Sequence, residues 1–320
     1  MTGDPIGSVY SSVASLRGLR IVIFIAELND MKLWTTDVGN AYLEATTDEK
    51  VFIEGSSYFG TRKGHTLIIK KALYGLKTSG RMWWEKFSDI LQDMGFFISR
   101  SENNIWMRDM GDHYEYLVRY VDDLAIVSNN PEKIISDLEN KYNLKLKGSG
   151  PIGYHLGCNF FRDNNGTLCM SPMKYIERLL VDYGRRFGKF SGSKINSPLE
   201  SNDHPELDTS EFLDMEEIKL YQSIIGSFQW AISIGRVDIM THTMTMAKFS
   251  CAPRKGHLER LFRMLKYLAN MKHSIIRFRT RIPNFNSIDL QPYDWRNSVY
   301  KGAKEVIPND LPDKRGSLFS

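Results

Sequence analysis

The sequence predicts an α+β fold up to about residue 183 and an all-α region after it. In the first part, short apolar runs rich in β-branched and aromatic residues alternate with stretches of helical periodicity. From about residue 216 onward only helical spacing is found. The chain has 320 residues, of which 42% are hydrophobic, and this is enough to bury a substantial core.

The first elements are predicted to be a helix, a strand and a short helical turn. We expect a helix over residues 8–30 and a short strand over residues 32–37, which ends on Asp37. The next stretch, "VGNAYLEA", is predicted to turn into a short helix. The stretches "KVFIEG" and "HTLIIKKA" are typical of two strands joined by a Gly-containing loop.

A second helix is predicted over residues 81–96, because apolar residues recur there at helical spacing (Trp84, Phe87, Ile90, Leu91, Met94). Three strands follow in "NNIWMRD", "YEYLVRY" and "DDLAIVS", and then a helix in "PEKIISDLENKYN" with Pro131 in its first turn. The turn signal "DNNG" predicts a hairpin in "YHLGCNFFRDNNGTLCMSP". The helix in "MKYIERLLVDYG" is expected to end at Gly184.

The composition changes between Arg185 and Leu213 to Gly, Ser, Pro, Asn and Asp, which predicts a linker or a long surface loop. Helices are then expected at 216–234, 238–250 and 255–272. Beyond Arg279 no clear periodicity remains, so a loose tail is predicted.

Composition excludes several classes of protein. The three cysteines, Cys158, Cys169 and Cys251, lack metal-ligand spacing and cannot all pair, so a reducing, intracellular compartment is favoured. The longest apolar run, residues 21–26, is too short to span a bilayer, and no membrane partner is expected. No signal peptide pattern follows Met1. The net charge of +4 permits a polyanionic partner without requiring one.

Asp122 and Asp123 interrupt an apolar, strand-like run, where unpaired carboxylates are costly. The doublet alone fits either an exposed turn or a cation site, because close carboxylates repel unless a cation lies between them. Asp37 ends a separate strand, where it could also cap the next helix. Three such carboxylates would suit Mg²⁺, and two ions about 4 Å apart are a common device for phosphoryl transfer.

Five motifs together resemble one family. "YVDD" at 120–123 looks like the catalytic hairpin of reverse transcriptases, and "DVGNAY" at 37–42 looks like their first metal-binding motif. "KALYGLKTSGRMWWEKF" is similar to a segment of copia-type LTR retrotransposon polymerases. "LGCNFFRDNNGTLCMSPMKYIERLL" resembles the hairpin and helix that follow in that family, and "YQSIIGSFQWAISIGRVDI" with "HLERLFRMLKYL" its helical region. The resemblance covers roughly residues 8–280, in the family's order.

The resemblance implies an RNA- and DNA-directed DNA polymerase that binds a primed RNA or DNA template and dNTP. It implies a right-hand polymerase palm with partial fingers and the primer-grip hairpin over 1–183, and a linker over 184–215. A helical thumb- or connection-like region would follow over 216–280, and then a tail over 281–320. The implied location is a cytoplasmic particle or the nucleus.

The resemblance also assigns residues. Asp37, Asp122 and Asp123 would bind two Mg²⁺ ions, with Mn²⁺ as a possible substitute, and the carbonyl of Val38 would complete the shell. Tyr42 matches the family's aromatic steric gate, which would clash with a ribose 2′-hydroxyl; the alternative is simply a core aromatic. The segment from Gly75 to Arg81, including Lys77, would line the nucleotide pocket. Residues 156–161 would form the primer grip. Tyr120, Leu156 and Gly157 would contact the nucleic acid.

The predicted helix over 255–272 places Arg260, Arg263 and Tyr267 opposite its apolar face. This is either an ordinary solvated face or a thumb-like surface that follows phosphates, and the resemblance favours the second interpretation. Further cations lie nearby in the sequence (Arg254, Lys255, Lys272, Arg277, Arg279, Arg281).

The sequence also departs from the family pattern. Thr78 stands where many relatives have glutamine, Gly80 where many have proline, and Val237 replaces the proline of "RPD". Only 36 residues precede Asp37, so we expect a truncated gene product with incomplete fingers, weakened activity and no RNase H domain. Two alternatives stay open: a catalytically inactive nucleic-acid-binding remnant, and a metal-dependent phosphoesterase. The phosphoesterase would need an activating base, and neither metal motif contains His or Lys.

Overall fold

The computed structural model describes residues 11–188, 190 and 195–281, without the side chain of Arg186. The start of the predicted helix over 8–30 and nearly all of the predicted tail over 281–320 therefore lie outside the described residues.

The first half of the described chain alternates between helices and strands. Its elements are α1 (Leu16–Leu28), β1 (Lys32–Val38), α2 (Ala41–Glu44), β2 (Phe52–Glu54), β3 (Thr66–Ile68), α3 (Ser79–Asp93), β4 (Phe97–Ile98), β5 (Ile105–Asp109), β6 (Tyr114–Tyr120), β7 (Asp123–Ser128) and α4 (Pro131–Asn140). The second half contains β8 (Leu146–Pro151), β9 (Tyr154–His155), β10 (Cys158–Arg162), β11 (Leu168–Ser171), α5 (Met173–Phe187), α6 (Met215–Ser233), α7 (Met240–Ala247), α8 (Lys255–Asn270) and β12 (Ile276–Arg277). This is a mixed α/β fold, as predicted, but the prediction that the region after residue 183 is all-α was wrong, because β12 pairs there with β11.

The largest sheet has six strands in the order β4-β5-β6-β7-β1-β8, and every neighbouring pair in it is antiparallel. Both of its faces are covered. Residues such as Leu33, Ala125 and Val127 pack with α1, whereas Leu124 and Ile126 pack with α3 and α4 on the opposite side. The central strands are therefore buried on both faces, and this explains why β7 reads as a continuous apolar run after Asp123.

A second sheet of four strands has the order β12-β11-β10-β9, and β2 pairs with β3 in a separate ribbon. Helices α5 to α8 share a core of their own, to which α5 contributes Ile176 and Leu179. In the opposite direction, Ile234 and Phe278 pack into the core between α1 and the large sheet. The hydrophobic cores therefore do not divide at residue 183.

Most helix boundaries differ from the predicted ones by a few residues, and two of the differences have a local cause. Helix α1 begins only at Leu16, where Ser15 caps it by accepting a 2.9 Å hydrogen bond from the backbone N–H of Gly18. The helix in "MKYIERLLVDYG" was predicted to end at Gly184. This prediction was wrong, because α5 continues to Phe187. The residue after its end is Gly188, which has a φ of 85°. A glycine inside a helix lowers its stability but does not stop it when the flanking turns are packed.

The segment predicted as a linker is partly fixed against α8. Glu200 pairs with Arg263, Asp203 with Arg260, and Leu199 lies in the helical core. Strand β8, "LKGSGP", was missed because it lacks an apolar alternation and pairs along only one edge, with β1. Among the described residues, no helix is both long and apolar enough to cross a membrane.

Candidate active site

Asp37 and Asp123 face each other at one corner of the six-stranded sheet. Asp37 lies near the end of β1 and is the register partner of Asp123, the first residue of β7. Directly opposed residues of antiparallel strands project from the same face of a sheet. Asp122 precedes β7 in the two-residue loop that joins β6 to it, so the strand pairing brings the three predicted aspartates to one corner.

The loop that carries Asp122 has an unusual backbone. Val121 has a φ of 59°, a region that a β-branched residue rarely adopts and that costs roughly 1–3 kcal/mol. Two hydrogen bonds hold the loop in this form. The indole Nε1 of Trp83 donates to the carbonyl of Val121 at 2.8 Å, and the backbone N–H of Val38 donates to the carbonyl of Asp122 at 2.8 Å. The hairpin tip is therefore fixed from α3 on one side and from β1 on the other.

The carboxylates at this corner are electrostatically strained. Burial, followed by the charges of Asp122 and Asp37, raises the pKa of Asp123 to about 6. Burial and the charge of Asp122 also raise the pKa of Asp37, against a smaller opposing effect of Lys147. Nearby positive charge would relieve this repulsion, so the corner favours a cation.

The donor set fits a hard divalent cation, since carboxylate oxygens are the ligands that Mg²⁺ prefers. In the described part of the chain, however, no group of three or more His, Cys, Asp or Glu side chains is arranged so that it could hold a metal ion. The three aspartates therefore lie near one another and repel one another. To bind an ion together, their carboxylates would have to move closer to each other.

Two aromatic rings stand beside the aspartates. The rings of Tyr42 and Tyr74 lie with their centroids 4.3 Å apart and their planes inclined by 36°. The hydroxyl of Tyr74 donates to Oδ2 of Asp122 at 3.4 Å. Burial and then Asp122 raise the pKa of both phenols. Tyr42 was predicted at this place, whereas Tyr74 was missed, although its position before Gly75 in "KALYGLK" was a usable signal.

The predicted nucleotide pocket lies around the start of α3. Gly75 has a φ of 101°, which favours glycine, and Lys77 is exposed. The guanidinium of Arg81 is paired with Asp48 and, at 2.9 Å, with Glu85. An anionic ligand would compete with these two carboxylates for Arg81.

Two of the departures from the family pattern have local explanations. Thr78 is buried and donates its backbone N–H and hydroxyl to Glu49 at 2.8 and 2.7 Å. A Cβ at Gly80 would lie 2.6 Å from Oγ of Ser11, so a side chain there would require the Ser11 hydroxyl to move. Val237 is 66% exposed at the start of a short 3-10 helix, and nothing in the structure explains its replacement of proline.

The predicted primer-grip residues form a tight turn between β9 and β10. Leu156 and Gly157 have φ values of 47° and 83°, as a two-residue type I′ turn requires. A Cβ on Gly157 would lie 3.8 Å from Nε1 of Trp230 in α6, so the turn faces the helical region. Tyr120, the last residue of β6, is the register partner of Asp123.

The predicted phosphate-binding residues of α8 are engaged within the chain. All three guanidinium nitrogens of Arg260 donate to Asp203, Asp208 or the carbonyl of Gly256. Arg263 pairs with Glu200 at 2.9 Å. The hydroxyl of Tyr267 donates to Asp238 at 3.0 Å. Phosphate binding by this face stays a prediction, and it would require a phosphate to displace these carboxylates.

Comparison with known proteins defines the class. Residues 1–187 match the family model described as reverse transcriptase (RNA-dependent DNA polymerase), and the chain therefore belongs to this family. Its resemblance to the copia-type LTR retrotransposon enzymes is confirmed by its relatives.

The relatives are transposon proteins. The chain is 28% identical over 293 residues to the retrovirus-related Pol polyprotein from transposon RE1 of Arabidopsis thaliana. The aligned residues cover 89% of this chain and 19% of that protein. It is 26% identical over 280 residues to the corresponding polyprotein from transposon TNT 1-94 of Nicotiana tabacum, covering 83% of this chain and 20% of that protein. It is 26% identical to a putative transposon Ty5-1 protein of Saccharomyces cerevisiae, with 89% of this chain and 88% of that protein covered. The chain thus spans about a fifth of the plant polyproteins.

Proposed function

We propose that the chain is the reverse transcriptase domain of a copia-type retrotransposon Pol polyprotein and that it copies a primed RNA or DNA template into DNA. The observation that carries this proposal is the pairing of Asp37 with Asp123 across β1 and β7, with Asp122 in the adjoining hairpin loop. Its support is the membership of residues 1–187 in the reverse transcriptase family.

Asp37, Asp122 and Asp123 would hold two Mg²⁺ ions, or Mn²⁺ in their place, together with the carbonyl of Val38. When bound, these ions would activate the primer hydroxyl and neutralise the triphosphate. The chain itself would fix the loop that carries Asp122 through Trp83 and Val38. The ring of Tyr42 would exclude the ribose 2′-hydroxyl, and Gly75, Lys77 and Arg81 would border the nucleotide.

The proposed layout is a right-hand polymerase. The six-stranded sheet with α1, α3 and α4 would be the palm, and β2, β3 and the start of α3 would belong to the fingers. The turn at Leu156 and Gly157 would position the primer, and α6 to α8 would form a thumb- or connection-like region. The proposed location is intracellular, in a cytoplasmic particle or the nucleus.

Primer extension tests the proposal. The chain should extend a primer on an RNA and on a DNA template with dNTP and Mg²⁺, and Asp122→Asn should abolish extension while leaving template binding intact. Full-strength template binding by the wild-type chain without any extension, in Mg²⁺ or Mn²⁺, would favour the inactive nucleic-acid-binding remnant instead. Cleavage of a phosphodiester in the absence of dNTP would favour the phosphoesterase.

A further inference from the structure

Tyr74 contacts two residues of the candidate active site at once. Its ring lies 4.3 Å from the ring of Tyr42, and its hydroxyl donates to Oδ2 of Asp122 at 3.4 Å. Yet the side chain is 62% exposed, so it contributes little to the hydrophobic core. A tyrosine with this combination of contact and exposure is better explained by a role at the surface of the site than by packing.

The backbone holds Tyr74 in this place. The N–H of Leu76 donates to the carbonyl of Leu73 at 3.2 Å and closes a turn with Tyr74 and Gly75 at its centre. The φ of 101° at Gly75 is the value that the third position of a type II turn needs. Tyr74 thus occupies the tip of a defined turn.

The same turn is connected to the segment that carries Tyr42. Just before the turn, the N–H of Ala72 donates to the carbonyl of Ala45 at 3.0 Å, and the N–H of Thr47 donates to the carbonyl of Lys70 at 3.1 Å. Ala45 in turn directly follows α2, the helix that contains Tyr42. Two paired segments therefore present the two rings side by side, and a displacement of one would move the other.

We propose that Tyr74 is a positioning residue for the polymerase reaction: its hydroxyl orients the Asp122 carboxylate toward a divalent cation, and its ring fixes the Tyr42 ring against the incoming sugar. This inference rests on the proposed function. A donor to a metal-ligating carboxylate restricts the orientation of that ligand, and its loss commonly weakens metal affinity by 10–100-fold. Because the bond to Asp122 is long, we expect an effect at or below the lower end of that range.

Two substitutions separate the hydroxyl from the ring. Tyr74→Phe removes only the hydroxyl, and Tyr74→Leu removes both. Tyr58, which is 97% exposed on the 3-10 helix Ser57–Arg62, offers matched controls in Tyr58→Phe and Tyr58→Leu. Three quantities are measured: the dissociation constant for Mn²⁺ by electron paramagnetic resonance without substrate, the ratio of ribonucleotide to deoxynucleotide incorporation, and kcat and KM for dNTP.

Tyr74→Phe should weaken Mn²⁺ binding by about three- to tenfold and leave the sugar discrimination of the wild type unchanged. Tyr74→Leu should weaken Mn²⁺ binding equally and also raise relative ribonucleotide incorporation severalfold, with KM for dNTP rising more than kcat falls. Neither Tyr58 variant should change any of these values. The thermal unfolding midpoint of Tyr74→Phe should match the wild type, which keeps the hydroxyl test valid even if the leucine variant folds poorly.

The outcomes distinguish this inference from the function on which it rests. If the wild type extends primers but Tyr74→Phe binds Mn²⁺ as tightly as the wild type, Tyr74 does not orient Asp122 and the inference is overturned alone. Unchanged sugar discrimination in a folded Tyr74→Leu variant would likewise overturn it. If the wild type neither binds Mn²⁺ nor extends a primer, the proposed function fails, and this inference fails with it.

Discussion

The indole N–H of Trp83 donates a 2.8 Å hydrogen bond to the carbonyl of Val121, and it thereby connects α3 to the strained loop between β6 and β7. Trp83 is 2% exposed, so its indole is held within the core while it makes this bond. The loop carries Asp122, and its geometry therefore depends on a side chain from a different element.

The first prediction concerns this bond. Trp83→Phe should lower the free energy of unfolding by roughly 1–3 kcal/mol through the unpaired carbonyl, beyond the loss of packing, and it should reduce primer extension. Trp106→Phe is the matched control, because Trp106 is fully buried but its Nε1 has no hydrogen-bond partner. Chemical denaturation and extension assays compare the two. Equal losses in both variants would show that the bond to Val121 contributes nothing specific.

The second prediction concerns the charge of Asp123. Its pKa of about 6 lies above the ordinary 3.8, so the ionised form destabilises the folded state increasingly as the pH rises through this range. Asp123→Asn should therefore raise the free energy of unfolding by roughly 1–3 kcal/mol at pH 8, with the gain disappearing below pH 4, while extension is lost. Denaturation from pH 3 to 8 measures this, and a gain that does not depend on pH would contradict the repulsion at this corner.

The third prediction concerns Tyr42. Tyr42→Val should raise ribonucleotide incorporation by at least tenfold while largely sparing deoxynucleotide use, because the smaller side chain leaves room for a 2′-hydroxyl. Single-nucleotide extension with each substrate measures the ratio. The same discrimination in both proteins would make Tyr42 simply an aromatic residue of the core.

The fourth prediction concerns Asp208 and Arg260. Burial alone would raise the pKa of Asp208, but hydrogen bonds from Ser210 and Arg260 outweigh it and lower the pKa to about 2. The stabilisation that follows, about 2 kcal/mol at most, is complete above pH 4 and is lost as the pH falls toward 2. Asp208→Asn should lose this stability at pH 7 and differ little from the wild type near pH 2. Lys219→Ala, which removes an exposed ion pair with Glu216, is the control and should change stability by less than about 1 kcal/mol at either pH.

The fifth prediction concerns the triphosphate. Arg81, the predicted cation of the nucleotide pocket, is already paired with Asp48 and Glu85, so we expect this chain to bind dNTP weakly. Asp48→Asn should lower the KM for dNTP severalfold, because it frees the Arg81 guanidinium to stabilise the transferring phosphoryl group. Steady-state kinetics of the wild type and the variant measure this. Equal KM and kcat values in the two would contradict the expectation that the pairing of Arg81 weakens dNTP binding.

Local patterns predicted most elements of the fold, but long-range pairing decided the rest. Strands β1, β6 and β7 and helix α4 were predicted because their apolar periodicity and Pro131 are local signals. Strand β8 contains two glycines and a proline and forms only because β1 offers it a free edge. The continuation of α5 past Gly184 brings Phe187 against Phe262 of α8, a contact that no local pattern in that segment predicts.

The candidate site divides in the same way. The aspartates and Tyr42 stand in short motifs whose residue types indicate their chemistry. The engagement of Arg260 by Asp203 and Asp208 joins residues more than 50 positions apart, so spacing along the helix alone could not predict it. The role of Tyr74 could not be predicted either, because a turn directs its side chain toward Asp122, a residue distant in the sequence.

The exchange of apolar side chains between the two cores bears on how this chain can be divided. Ile176 and Leu179 of α5 complete the helical core, and Ile234 and Phe278 complete the core beneath the large sheet. A fragment cut at residue 183 or 215 would expose apolar surface on the remaining half and invite aggregation. A recombinant library built from this region should therefore keep residues 11–281 together.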